Sequence, residues 1–145
     1  MRRTLVLLAL TVGCAAGPPP PAALDTANEA CRHCRMMVSD VHFAAQIVAP
    51  GDEALFFDDV GCLREYLETQ AVPPDAVAYV ADHRTGEWVR AADAVYTRAT
   101  NLQTPMGSGL VAHRDEASRS ADAGLDGVTV ARGEVFASPP PGGSP

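Results

Sequence analysis

Two proline runs fence this chain, Pro18 to Pro21 near one end and Pro139 to Pro141 near the other. Proline has no amide donor and a fixed φ, so such runs stay extended and enter neither a helix interior nor an inner strand. The folding unit is therefore expected at 29–136, with 14–28 as a semi-rigid linker and 137–145 as a disordered tail. Inside those bounds the apolar residues come in short runs broken by Pro and Gly. Val41 to Val48 and Ala54 to Phe57 read as strands around the turn Pro50-Gly51-Asp52. Val60, Leu63, Tyr66 and Leu67 recur at helical spacing as far as about Thr69, behind an aspartate suited to cap the helix. Val77 to Ala81, a short strand at Trp88, Ala94 to Arg98, Leu110 to Ala112 and Val128 to Ala131 complete the strands. A second helix runs from an Asp115 cap to Ala123, with Gly124 beyond its end. The order strand, strand, helix, strand occurs twice. It predicts an α+β fold of two small pseudo-repeated ββαβ-type units forming one compact domain.

The N-terminus reads as a targeting segment. Arg2 and Arg3 precede a short apolar stretch, Leu5 to Val12, too short to span a bilayer. Residues 1–13 are expected to be a lipoprotein signal peptide. Leu10-Thr11-Val12-Gly13-Cys14 resembles a lipobox, with Thr11 where such signals usually carry Leu. Cys14 is then the lipidated residue, and the domain faces the periplasm or cell exterior. Ala15 carries no Asp-type retention signal, which leans toward the outer membrane. The net charge of −7 argues against nucleic acid, whose binding requires a basic patch.

The segment that carries chemistry is Cys31-Arg32-His33-Cys34-Arg35-Met36-Met37. Two thiols at this spacing can converge on one ion, and two thioethers follow at once. Thiolate and thioether sulfurs are soft donors that suit Cu(I), whereas Zn(II) gains little from Met. Haem attachment would require His directly after the second Cys, where Arg35 stands. Met106, in the loop Thr104-Pro105-Met106-Gly107-Ser108-Gly109, is a further ligand candidate. Cys62, near the start of the first helix, reads either as a helix-activated thiolate or as a buried core residue. Asp58 and Asp59 read as capping residues before metal ligands. His33 sits inside the Cys pair as a possible ligand, while His42, His83 and His113 read as solvated or hydrogen-bonded. The expected core ligands are Cys34, Met36 and Met106, with Cys31, Cys62 and Met37 behind them.

Two rival readings use the same thiols. One is a thiol–disulfide oxidoreductase on Cys31 and Cys34, with Cys62 as the resolving thiol. The other is a scaffold lipoprotein stapled by a Cys31–Cys34 disulfide. Neither gives Met36, Met37 or Met106 a role. No Ser/His/Asp spacing points to a hydrolase, and the chain is not expected to be an enzyme.

Taken in order, Cys31-x-x-Cys34-x-Met36, Phe43-Ala44-Ala45-Gln46, Phe57-Asp58-Asp59-Val60-Gly61-Cys62, Gly86-Glu87-Trp88 and the Thr104 to Gly109 loop resemble the NosL family of nitrous oxide reductase accessory lipoproteins. The family's pattern usually has Gly where Arg35 stands here. The resemblance implies a Cu(I) chaperone outside the cytoplasm that serves nitrous oxide reductase maturation in denitrification. Its implied partners are the copper-accepting apo-enzyme and an ABC-type maturation complex. It also implies a fold of two related ββαβ-type units.

Overall fold

The computed structural model describes residues 17–143. The expected signal segment and Cys14 lie outside them. Among the described residues no helix is long and apolar enough to cross a membrane.

The first half begins with a hairpin, β1 (Ala45–Val48) and β2 (Leu55–Phe57), followed by helix α1 (Val60–Thr69). Strand β3 (Val77–Ala81) returns beside β1, and β4 (Trp88–Arg90) extends the sheet to the antiparallel order β2-β1-β3-β4. The second half repeats the plan with β5 (Val95–Ala99), β6 (Leu110–His113), helix α2 (Glu116–Ala121) and β7 (Gly127–Val130). Its sheet has the antiparallel order β6-β5-β7. The first strand of each half is thus central, and the ββαβ unit recurs as the sequence pattern predicts. Strand β3 is buried along its whole length, which matches its unbroken apolar run Val-Ala-Tyr-Val-Ala. Helix α1 turns Val60, Cys62 and Leu63 into a core shared with Phe57, Tyr96 and Leu110.

Most boundaries fall within one residue of the sequence reading, and three larger differences stand out. The first strand begins at Ala45 because Asp40 bends the chain, its carboxylate accepting from the His42 amide at 2.9 Å. Helix α2 stops at Ala121, with Asp122 as its C-cap, before the expected end at Ala123. A single helical turn, α3 (Arg132–Val135), follows β7 and is too short to show periodicity. Contacts also reach past the bounds set by composition. Buried Gln46 holds Ala22 through both its amide atoms, at 2.8 and 3.1 Å, and the Tyr79 hydroxyl donates to the Pro19 carbonyl at 2.6 Å. At the other end the Ala78 amide donates to Pro141 at 3.0 Å. Prolines lack donors but keep carbonyls, so both runs serve as acceptors along the first sheet.

The repeat extends to the turn that precedes each unit. Ala30 bridges Met37 as Ala81 pairs with Trp88. Within the first turn Cys31 N–H donates to Met36 O and Arg35 N–H to Cys31 O. Within the second, Asp82 N–H donates to Glu87 O and Gly86 N–H to Asp82 O. Each tip is tied to its own unit's edge strand, Arg32 N–H to Phe56 O at 2.7 Å and His83 N–H to Ala112 O at 2.8 Å. The equivalent tip residues Arg35 and Gly86 have φ of 68° and 73°. Arg35 is the one non-glycine residue with positive φ among the described residues. A left-handed conformation costs an L-residue with a Cβ roughly 1–2 kcal/mol. Arg35→Gly is accordingly expected to stabilise the fold by about 1 kcal/mol. A urea titration checks this, and a lower midpoint would mean that the arginine side chain contributes more than its backbone costs.

Candidate metal centre

The Cys31 thiol lies at zero exposure beneath the first tip, and Cys62 is buried in the first turn of α1. Cys34 is half-buried at the rim. The three sulfurs lie within 4.8 Å of one another. The choice left open for Cys62 resolves toward the buried core residue: its thiol is pushed up rather than activated by the helix, although it faces the other two thiols.

Cys31 and Cys62 share one proton. The Cys62 thiol donates to Cys31, and the backbone N–H groups of Cys34 and Asp58 also point at the Cys31 sulfur, so its pKa falls to about 5. The same hydrogen bond, with burial, pushes Cys62 up. Burial raises Cys34, against an opposing N–H from Met36. Cys31 is thus the sulfur that loses its proton most readily, and burial and the shared hydrogen bond hold the protons on Cys62 and Cys34.

Asp59 fixes the other wall. It is fully buried and caps α1, its Oδ1 accepting from the Cys62 amide at 2.9 Å. Its Oδ2 accepts from the Thr104 hydroxyl at 2.9 Å, the Ser108 hydroxyl at 3.0 Å and the Met106 amide at 3.2 Å. One carboxylate thereby joins the helix bearing Cys62 to the loop bearing Met106. Asp58 points elsewhere and accepts from the Ser39 amide at 3.1 Å. Of the two aspartates read as caps, Asp59 caps the helix and does more, whereas Asp58 caps none. Gly61 is required where the loop meets the helix, because a Cβ there would stand 2.5 Å from Ser108 Cβ.

Met106 lines a cleft of about 350 Å³ with Cys34, Cys62 and His33. Its side chain is 41% exposed, and those of Met36 and Met37 are 55% and 45% exposed on the arm of the tip hairpin. Of the six expected ligands, the fold brings three thiols together and sets Met106 beside them. Met36 and Met37 are turned to solvent and are not brought into the centre. His33 Nε2 is paired with Glu65 Oε2 at 2.9 Å and stands outside the sulfur trio.

The second half carries a related arrangement in different chemistry. Where Cys31 sits in the first tip, Asp82 sits in the second, accepting amides from Arg84, Thr85 and Arg114 at 2.9 to 3.0 Å. Where Cys62 follows the Asp59 cap, Ser118 follows the Asp115 cap and hydrogen-bonds Asp82. Burial opposes the charge on Asp82, but these donors outweigh it and hold its pKa at about 2. The unit therefore offers a pocket for one buried anion in each half. The first half fills it with sulfur.

The family model described as NosL matches residues 21–130. The chain belongs to the NosL family. Its fold is similar to the crystal structure of the copper chaperone NosL from Shewanella denitrificans, with a TM-score of 0.62 and 14% sequence identity. That likeness covers 81% of this chain and 98% of the other. A search of curated proteins found no match. Besides the thiols, this chain gathers His83, His113 and Asp122 in its second half. Sequence reading took these histidines singly and missed the group, because the three residues come from separate elements at no motif spacing.

Two substitutions test the build of the centre. Gly61→Ala is expected to push the Thr104 to Gly109 loop away and to lower metal affinity at least tenfold, about 1.4 kcal/mol. Competition titration measures it, and unchanged affinity would separate the loop from the site. Cys31→Asp is expected to fold, because the second half shows a carboxylate satisfied by the same backbone donors, and to lose soft-metal binding. Circular dichroism and the same titration read the two halves of that expectation.

Proposed function

We propose that this NosL-family chain is a Cu(I) carrier held at a membrane through Cys14 outside the cytoplasm, and that it passes copper to an acceptor enzyme. The observation that carries the reading is the convergence of Cys31, Cys34 and Cys62 beneath the Met106 loop. Three soft sulfurs and an adjacent thioether favour Cu(I) over hard or borderline ions. The copper chaperone of similar fold supports the same cargo.

Cys31 is the base of the proposed site, already thiolate-like before metal arrives. Each further thiol that ligates releases a proton, so loading couples to proton loss. Cys34 and Met106 lie at the rim, where an incoming sulfur from a donor or acceptor can exchange with them. Met106 is a neutral thioether and is the ligand displaced first. Met36 and Met37, just after Cys34 in sequence and exposed, offer two more thioethers to a partner. Such a site holds copper without enclosing it, which suits transfer better than a closed cage of four thiolates.

Membership of the family supports nitrous oxide reductase as the client, with its ABC-type maturation complex as neighbour. The leader through Cys14 and the ordered linker from Pro19 to Leu24 support a domain tethered by its first sheet.

The test is anaerobic Cu(I) titration of the soluble chain against a chromogenic chelator. One ion per chain is expected. Cys34→Ser is expected to weaken binding beyond tenfold, and Met106→Leu by about tenfold, the equivalent of ~1.4 kcal/mol. No competition with the chelator at any stoichiometry would end the carrier reading. Insulin reduction dependent on Cys31 and Cys34 would then make the redox reading the better account.

A further inference from the structure

The second half holds a donor group of the opposite chemical character. His113 closes β6 with no exposure, and its Nε2 lies 3.0 Å from Asp122 Oδ2. His83, in the β3–β4 turn, brings Nδ1 to 2.6 Å from the same oxygen. One carboxylate oxygen thus faces two imidazole nitrogens, and all three donor atoms lie within 4.8 Å of one another.

The internal repeat fills the equivalent space in the first half without an imidazole or a carboxylate. The residues equivalent to His113 and Asp122 in the first half are Phe57 and Tyr66, whose rings pack with centroids 5.2 Å apart. An aromatic pair fills that space at no cost in polar desolvation. The polar trio carries that cost, and it is incompletely met, because His113 Nδ1 is the one buried side-chain nitrogen or oxygen without a partner among the described residues.

We propose that His83, His113 and Asp122 form a second metal site, for a borderline divalent cation of the Zn(II) or Cu(II) kind. Two imidazole nitrogens and one carboxylate oxygen are the donors such ions take, and they do not compete for Cu(I) with sulfur. The separations of 2.6 and 3.0 Å are hydrogen-bond lengths. A cation between the donors sits about 2.0–2.2 Å from each, and tetrahedral donors then stand roughly 3.4 Å apart, so the carboxylate withdraws by about 0.4 to 0.8 Å. Asp122 lies at the end of a six-residue helix, beside a turn, where that movement is small work. The side chains of His83 and Asp122 keep 17% and 14% exposure, which leaves a path for the ion and for water as a fourth ligand. The NosL fold then holds two sites of different softness, one in each half.

The experiment uses the chain loaded anaerobically with one equivalent of Cu(I), so that the thiols are occupied. Co(II) is titrated as a visible probe, and Zn(II) is then added to displace it. One equivalent of Co(II) is expected, with ligand-field bands, without a sulfur-to-cobalt charge-transfer band, and displaced by Zn(II). His83→Gln and Asp122→Asn are each expected to weaken binding at least tenfold while Cu(I) loading stays unchanged. A second measurement needs no variant: imidazole 15N shifts on adding Zn(II) are expected at His83 and His113, with His33 and His42 unmoved. The proposal is overturned by no binding at millimolar Co(II), by a sulfur charge-transfer band, by affinity unchanged from the parent chain in both variants, or by ring shifts confined to the other histidines.

Discussion

The carboxylate of Asp59 is the interaction on which the thiol centre depends. It is buried, and every hydrogen bond it accepts joins something to the first turn of α1. Without it the helix loses its cap and the Met106 loop loses its anchor together. A buried carboxylate is costly unless its lone pairs are filled, and here one oxygen serves the helix while the other serves the loop. This shared use makes the loop geometry as firm as the helix end. A thioether carried on a loop rich in Gly and Pro would otherwise have no fixed distance from the thiols.

The internal repeat gives the site its second support. Each half presents a tip hairpin against an edge strand, a cap aspartate and a residue three positions after the cap. The tip in each half directs backbone N–H groups at one buried anion. Asp82 with Ser118 and Cys31 with Cys62 are two answers to the same electrostatic demand. A thiolate at the base of the centre is therefore a property of the backbone arrangement as much as of the cysteine. The same repeat exposes the exception at Arg35, whose φ of 68° belongs to the glycine found at its counterpart, Gly86.

The halves diverge where packing leaves freedom. The first half places sulfur beneath its tip and aromatic rings beneath its helix. The second places a carboxylate and a hydroxyl beneath its tip, an imidazole and a carboxylate where the rings would be, and a second imidazole from the tip beside them. One backbone plan thus offers soft donors in one half and borderline donors in the other.

Much of this was legible in the residues. Short apolar runs between Pro and Gly signals determined the strands, the two capped helices and the ββαβ order, because those patterns are local. The Cys31 to Met37 segment and the Met106 loop marked soft-metal chemistry by residue type alone. Tertiary structure decided the rest. It placed Cys62 with the other thiols rather than merely in the core, turned Met36 and Met37 toward solvent, and made Asp59 the link between loop and helix. It also gathered His83, His113 and Asp122 from a turn, a strand end and a helix end. Those outcomes depend on which elements pack together, and side chains far apart in the chain acquire a common partner only when the backbone brings their elements into contact.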